Sequence, residues 1–284
     1  MSNVNPRVDI LMISHERPEY YRRSLTTLLD QASRVNGVRV WLWMNGDQLE
    51  TKRVFDQYRD HPVVARAHHS SKNAGLRTPT NWLWLESDAT FVSKVDDDCV
   101  IDDGWIERLM ASHAVIPKSG VLGSWRFYEE DSQLDLIVDK IQRFDVNRVF
   151  RNNWVQGSGY LARRSLVAEI GALRDGESFP DWCLRVAKAG YVNGWPYPFL
   201  HEEHFDDPRS AETMFTTDEI FMANRPLHAK MNNVKTLADW ANEQQLSALG
   251  VQRSEISWMH YFSFRERVSR RVKRAVDTVL RQAE

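Results

Sequence analysis

Residues 94–105 read KVDDDCVIDDGW, three consecutive aspartates at the end of an apolar run and two more shortly after. Carboxylates packed this closely repel one another and resist burial, so the cluster implies a positive charge to hold. Its place in the chain decides what kind. VDILMIS (8–14), VRVWLWM (38–44), HPVVARAHH (61–69) and ATFVSKV (89–95) are short runs rich in β-branched and aromatic residues, and each reads as a strand. Between them lie helical patterns. One opens at Pro18 with Leu25, Leu28 and Leu29 on one face, and others fill 48–60 and 75–87. Strand–helix alternation of this sort specifies an α/β chain with a mostly parallel sheet, whose ligands lie beyond the carboxyl ends of the strands. The aspartates after Val95 fall there.

Composition is that of an ordinary globular chain: 284 residues, 42% hydrophobic, 27% charged and a formal net charge of −2. That charge gives no push toward nucleic acid, and none is expected as a partner. Two cysteines, Cys99 and Cys183, cannot make a disulfide framework, which suits a cytoplasmic setting. The N-terminus lacks the pattern of a signal peptide, and no run reaches the ~20 apolar residues of a membrane span.

Farther on, 104–116 reads as a helix and GVLGSW (120–125) as a strand; QGSGYLARRS (156–165) reads as a glycine-rich turn entering a strand and helix, and 181–189 as a helix stopped at Gly190. From Phe264 to Arg281 seven basic residues face two acidic ones, with Val268, Val272, Val276 and Val279 on one side. That is the pattern of a basic amphipathic helix. It suits an anionic membrane surface, making the protein peripheral on the inner face of the cell membrane. It equally suits packing on the domain, or on a second copy in a homo-oligomer.

Asp96 and Asp98, two apart at a strand end, can reach one ion, and hard carboxylate oxygens suit Mn²⁺ or Mg²⁺. The alternative is a solvated turn, with Asp102 and Asp103 capping the next helix. A calcium EF-hand loop is excluded, because Ile101 stands where its glycine is required.

Four segments in order, VDILMISHERPEYYRRSLTTLLDQ, MNGD, KNAGLRTPTN and KVDDDCVIDDGWIERL, resemble the nucleotide-binding half of family 2 glycosyltransferases of GT-A fold. GSGYLARRSLVAEIGAL and FPDWCLRVAKAGY look like that family's acceptor-side segments, so the resemblance spans roughly residues 7–197. It implies a GT-A domain over 1–205, split into a nucleotide-sugar half (1–125) and an acceptor half (126–205), with a helical extension over 206–284. It implies inverting, metal-dependent transfer from a nucleoside-diphosphate sugar to a glycan or lipid-linked acceptor, as in bacterial surface polysaccharide synthesis. Asp98 would bind the metal, with Asp96 near the ribose and ion, and Asp97 at the nucleoside or holding the turn. Ser14, His15, Glu16, Asn45, Asn73 and Arg77 are the remaining donor candidates, Arg77 also reading as a solvated helix residue. His15 and Glu16 replace the family's Tyr-Asn pair, and Met44 and Asn45 stand where an aspartate usually recognises the base. Asp181 is the base implied for the acceptor hydroxyl, with Glu177 the rival in a shifted register and helix capping the structural alternative. His201 would be a third metal ligand. Trp154 and Trp182 are candidates for stacking on the acceptor. Two other readings are weighed. A sugar-nucleotide pyrophosphorylase would begin with a glycine-rich loop, which ISHERPEYY is not; a non-catalytic glycan- or membrane-binding protein could retain the fold.

Overall fold

A computed structural model describes residues 7–225, 229, 230, 233–263, 268 and 272. The first half runs β1 (Val8–Ser14), α1 (Pro18–Arg34), β2 (Val38–Asn45), α2 (Leu49–Tyr58), β3 (Val64–Ser70), α3 (Arg77–Glu86), β4 (Phe91–Asp96), β5 (Cys99–Ile101), α4 (Trp105–Val115) and β6 (Ser119–Gly123). There follow α5 (Leu134–Val138), β7 (Ile141–Phe144), β8 (Asn147–Arg151), β9 (Tyr160–Arg163), α6 (Arg164–Ile170), α7 (Phe179–Lys188), β10 (Val192–Tyr197) and β11 (Glu202–His204). The last described elements are α8 (Asp218–Asn224), α9 (Leu237–Arg253) and α10 (Trp258–Tyr261).

The chain divides into two compact units: 1–126 with 140–202, and 127–139 with 203–284. The first is built on a nine-stranded sheet of order β3-β2-β1-β4-β9-β6-β10-β8-β7. β1 runs parallel to both β2 and β4, and β2 to β3; β9 is antiparallel to β4 and to β6. Every residue of β1 is buried, as its uninterrupted apolar run requires of a strand covered on both faces. Helix α1 begins at Pro18, where the missing N–H costs nothing, and buries Tyr21, Leu25, Leu28 and Leu29 against the sheet. Chain order reverses between β1 and β4: β2 and β3 lie on one side of β1 and β4 on the other. This is the switch point where such sheets open a crevice at their carboxyl ends. In register, Asp96 of β4 sits beside Ile13 of β1.

The second unit has its own small core of Phe215, Phe221, Ala229, Val234 and Trp240, with the Phe221 and Trp240 ring centroids 4.7 Å apart. Arg209 ties two of its loops by bonding Asp131 through both terminal nitrogens (2.7 and 3.0 Å) while also reaching Asp207 (2.8 Å).

One expectation is overturned. Asp102 and Asp103 do not cap α4. Its N-cap is Gly104 at φ 77°, while Asp102 accepts from the His201 N–H (2.9 Å) and Asp103 from Gln31 (3.2 Å) and Arg34 (3.1 Å). The expected basic helix over 264–281 lies outside the described residues, apart from Val268 and Val272, which are exposed. Among the described residues no helix is long and apolar enough to cross a membrane.

Candidate active site

The chain leaves β1 at the buried Ser14 and turns through Glu16, which holds φ at 54°, a cost a non-glycine residue pays only where its surroundings fix it. That turn aims the His15 N–H at Asp97 Oδ2 (3.0 Å) and brings Arg17 back over the acids. Arg17 Nη2 donates to Asp97 Oδ1 (2.5 Å) and Nη1 to Asp98 Oδ2 (2.7 Å). Cys99 Sγ lies 3.3 Å from Asp98 Oδ1. On the neighbouring side, Lys94 pairs with Asp96 Oδ1, and the Asp96 N–H donates to Ser158 Oγ (3.0 Å). The positive charge the triplet demands is therefore met inside the chain by Arg17 and Lys94.

The electrostatics are tense. Burial pushes the Asp97 carboxyl up to about 6, with Arg17 pulling it down and Asp98 pushing it further up. Burial works against the Arg17 charge too, but Asp98 and Asp97 more than offset it, so its pKa is raised. The Cys99 thiol is pushed well up by burial and by Asp98, which keeps it protonated.

Beside the acids lies a polar web from three strand ends. His15 Nδ1 is 2.6 Å from the Asn45 carbonyl, which can only accept, and Asn73 Nδ2 is 3.1 Å from His15 Nε2. Asn73 Oδ1 already accepts from Asn45 Nδ2 (2.7 Å) and from the Gly75 N–H (2.8 Å), so its amide donates to His15. These bonds fit the neutral Nδ1–H imidazole. Asn45 also accepts from the Ala74 N–H (2.6 Å), so it clamps the 73–75 loop. His15, Asn45, Asn73 and the three aspartates are thus brought together as the sequence suggests. Arg77 is instead half exposed and bonded to Asp175 (3.1 Å) at the start of α3.

On the acceptor side, Asp181 is the third residue of α7 and closes a capping box with Ser178, whose Oγ donates to Asp181 Oδ2 (2.7 Å). Glu177 is held by Arg185 through Nε (2.8 Å) and Nη2 (2.9 Å), with only 11% of its side chain exposed. Trp182 is corrected from acceptor contact to core. It is fully buried, its centroid lies 4.4 Å from that of Trp84, and its Nε1 donates to Gly171 O (2.7 Å), leaving no face for a sugar. Trp154 remains half-buried, edge-on to Trp195 at 6.4 Å. His201 is tied to Asp102 by its main chain, whose carbonyl also accepts the Asp102 N–H (3.0 Å).

Sequence reasoning missed Arg17, Lys94 and Ser158. The signals were there: an arginine between β1 and the helix-opening proline, a lysine inside a buried strand, and a serine in the turn before β9. As donors, the carboxylates of Asp96 and Asp98 offer hard oxygens, the atom type that suits a small divalent cation such as Mn²⁺ or Mg²⁺, whereas both Asp97 oxygens are taken by His15 and Arg17.

The sheet order places the acids and the polar web together at the switch point of an α/β fold. The model of "Glycosyl transferase family 2" matches residues 9–166, and the chain belongs to that family of glycosyltransferases. Among solved structures, it is similar in fold to a mannosyltransferase, PcManGT from Pyrobaculum calidifontis, described in complex with GDP-Man and Mn2+. The TM-score is 0.60 at 12% identity, over 98% of this chain and 87% of that one. No curated protein sequence matches the chain.

Proposed function

We propose that the chain transfers a sugar, with inversion, from a nucleoside-diphosphate sugar to a hydroxyl of a glycan or lipid-linked acceptor, with Mn²⁺ or Mg²⁺ as cofactor. The observation that carries this reading is the cluster of Asp96, Asp97 and Asp98 at the end of β4, with Asp96 beside β1 in register and Asp97 bonded to the His15 N–H. The similar mannosyltransferase, described with GDP-Man and Mn2+, supports a nucleotide-sugar donor and a divalent ion.

Asp98 and Asp96 would hold the ion, which when bound stabilises the negative charge of a departing diphosphate without a proton. Asp97, anchored by the His15 N–H, keeps the turn between them in shape. His15, Glu16, Asn45 and Asn73 would line the nucleoside, with Arg77 at the rim; Ser14 is corrected from donor contact to core, because it is fully buried at the end of β1. Asp181 would take the proton from the acceptor hydroxyl on the face opposite the leaving group. Glu177 is less suited, because both its oxygens are engaged by Arg185. Trp154 offers an aromatic edge to the acceptor, and His201 is a further ligand candidate. A role in surface polysaccharide synthesis, on the cytoplasmic membrane face through 264–281 or as a homo-oligomer, completes the reading.

The test is thermal-shift screening against nucleoside diphosphates with and without Mn²⁺, followed by donor hydrolysis. We expect stabilisation by one base that depends on the ion, and hydrolysis lost in Asp98→Ala. Indifference to every nucleotide would refute the donor assignment.

A further inference from the structure

We propose that Arg17 is a resident counter-ion of the acid cluster that gives way to the divalent ion and then binds the donor diphosphate; this rests on the donor reading above. Arg17 spans the acid pair, one terminal nitrogen on each carboxylate, at 2.5 Å from Asp97 and 2.7 Å from Asp98. It is also the most accessible of the three: 25% of its side chain is exposed, against 4% for Asp97 and 10% for Asp98. A divalent ion seeking Asp98 Oδ2 thus meets a cation already on that oxygen, and two positive charges cannot share it closely. Lys94 cannot play this part, because its side chain is 5% exposed and lies within β4.

Departure of the guanidinium does not strip Asp97, whose Oδ2 keeps the His15 N–H. The Arg17 main chain stays anchored as well, since its carbonyl accepts the Tyr21 N–H (2.9 Å) and Pro18 fixes the next φ. Movement is therefore confined to the side chain. Its planar fork, released from the two carboxylate oxygens, matches the paired oxygens of a diphosphate arriving with the ion. The same residue thus opposes the bare metal and favours the metal–diphosphate pair, so that ion and donor bind together.

The test measures Mn²⁺ binding alone, by electron paramagnetic resonance of free Mn²⁺, and GDP and UDP binding at saturating Mn²⁺, by calorimetry. Wild type is compared with Arg17→Met and Arg17→Lys, each checked for native circular dichroism. Arg17→Met is expected to bind Mn²⁺ alone about tenfold tighter and the nucleotide about 10- to 100-fold weaker, the loss of a bidentate charged contact. Arg17→Lys keeps the charge without the fork, so it should hold Mn²⁺ affinity near wild type while still losing nucleotide affinity. A structural role alone would lower both affinities together or leave both unchanged, and either outcome overturns the proposal. Wild-type protein that binds no nucleoside diphosphate of the thermal-shift panel with Mn²⁺ refutes the donor reading itself, and the Arg17 proposal falls with it. Unchanged variants of a wild type that does bind refute Arg17 alone.

Discussion

Replacing Asp181 and Glu177 one at a time separates a proton acceptor from a structural acid. Glu177 meets Arg185 in a two-pronged contact at 2.8 and 2.9 Å, with 11% and 15% of the two side chains exposed. Arg185 also donates to the carbonyls of Ile170 and Ala172, the latter at 2.8 Å, so this pair pins the 170–177 loop to α7. Glu177→Gln leaves the arginine charge largely buried beside a neutral amide. Removing one partner of such a pair costs about 3 kcal/mol, at the low end because water reaches its edge. In a chain of this size that is a fall of about 5 °C in Tm. Asp181→Asn retains an oxygen for the Ser178 hydroxyl, so the capping box weakens by less than about 1 kcal/mol. Its turnover should nevertheless drop by about 10²–10⁴-fold, the usual worth of a positioned base. Differential scanning fluorimetry gives the first quantity and release of nucleoside diphosphate with acceptor present gives the second. If Asp181→Asn turns over normally while Glu177→Gln is stable and inactive, the assignment is reversed.

Three further outcomes follow from the geometry. His113 is buried, its Nε2 donating to Leu161 O (3.0 Å), and burial holds it down to about 3 against 6.5 for an exposed imidazole. Because the unfolded chain binds a proton that the fold excludes, the His113 contribution to stability should fall by about 2 kcal/mol between pH 7 and pH 5, against an opposing gain from Asp97. Urea melts of His113→Gln should show a correspondingly shallower slope, and an identical slope would show that His113 does not set it. Gly159 sits at φ 59°, where a Cβ would overlap the Ser124 hydroxyl and the Glu202 carboxylate, so Gly159→Ala should cost about 2–4 kcal/mol; a Tm within 2 °C of wild type by differential scanning fluorimetry would contradict this. Asn45→Ala removes the acceptor of the Ala74 N–H and the donor to Asn73, so nucleotide affinity by calorimetry should weaken about tenfold; unchanged affinity would free Asn45 from the pocket.

The parallel half was legible because strands covered on both faces must be continuous apolar runs, as β1 and β2 are, and because Pro18 marks a helix start. The hairpin of β7 and β8 was not. IQRF and NRVFR are half exposed and mix charges into the pattern, so neither period stands out. Helix α9 also escaped, although Thr236 and Asp239 form the capping box that announces it. At the site, the acids were plain but their counter-ion was not. Arg17 lies about 80 positions from Asp97 and Asp98, and only the pairing of β1 with β4 brings them together. Trp182 was misassigned for the opposite reason: helical spacing does not say which face of α7 meets the core, and that face packs on Trp84.

The most direct measurement is an anomalous-scattering map from a crystal soaked with Mn²⁺ and GDP. A manganese peak at about 2.0–2.3 Å from a carboxylate oxygen of Asp98, with the diphosphate against it, is the predicted result. Nucleotide bound elsewhere, or Arg17 still spanning Asp97 and Asp98 with no ion beside them, would contradict it.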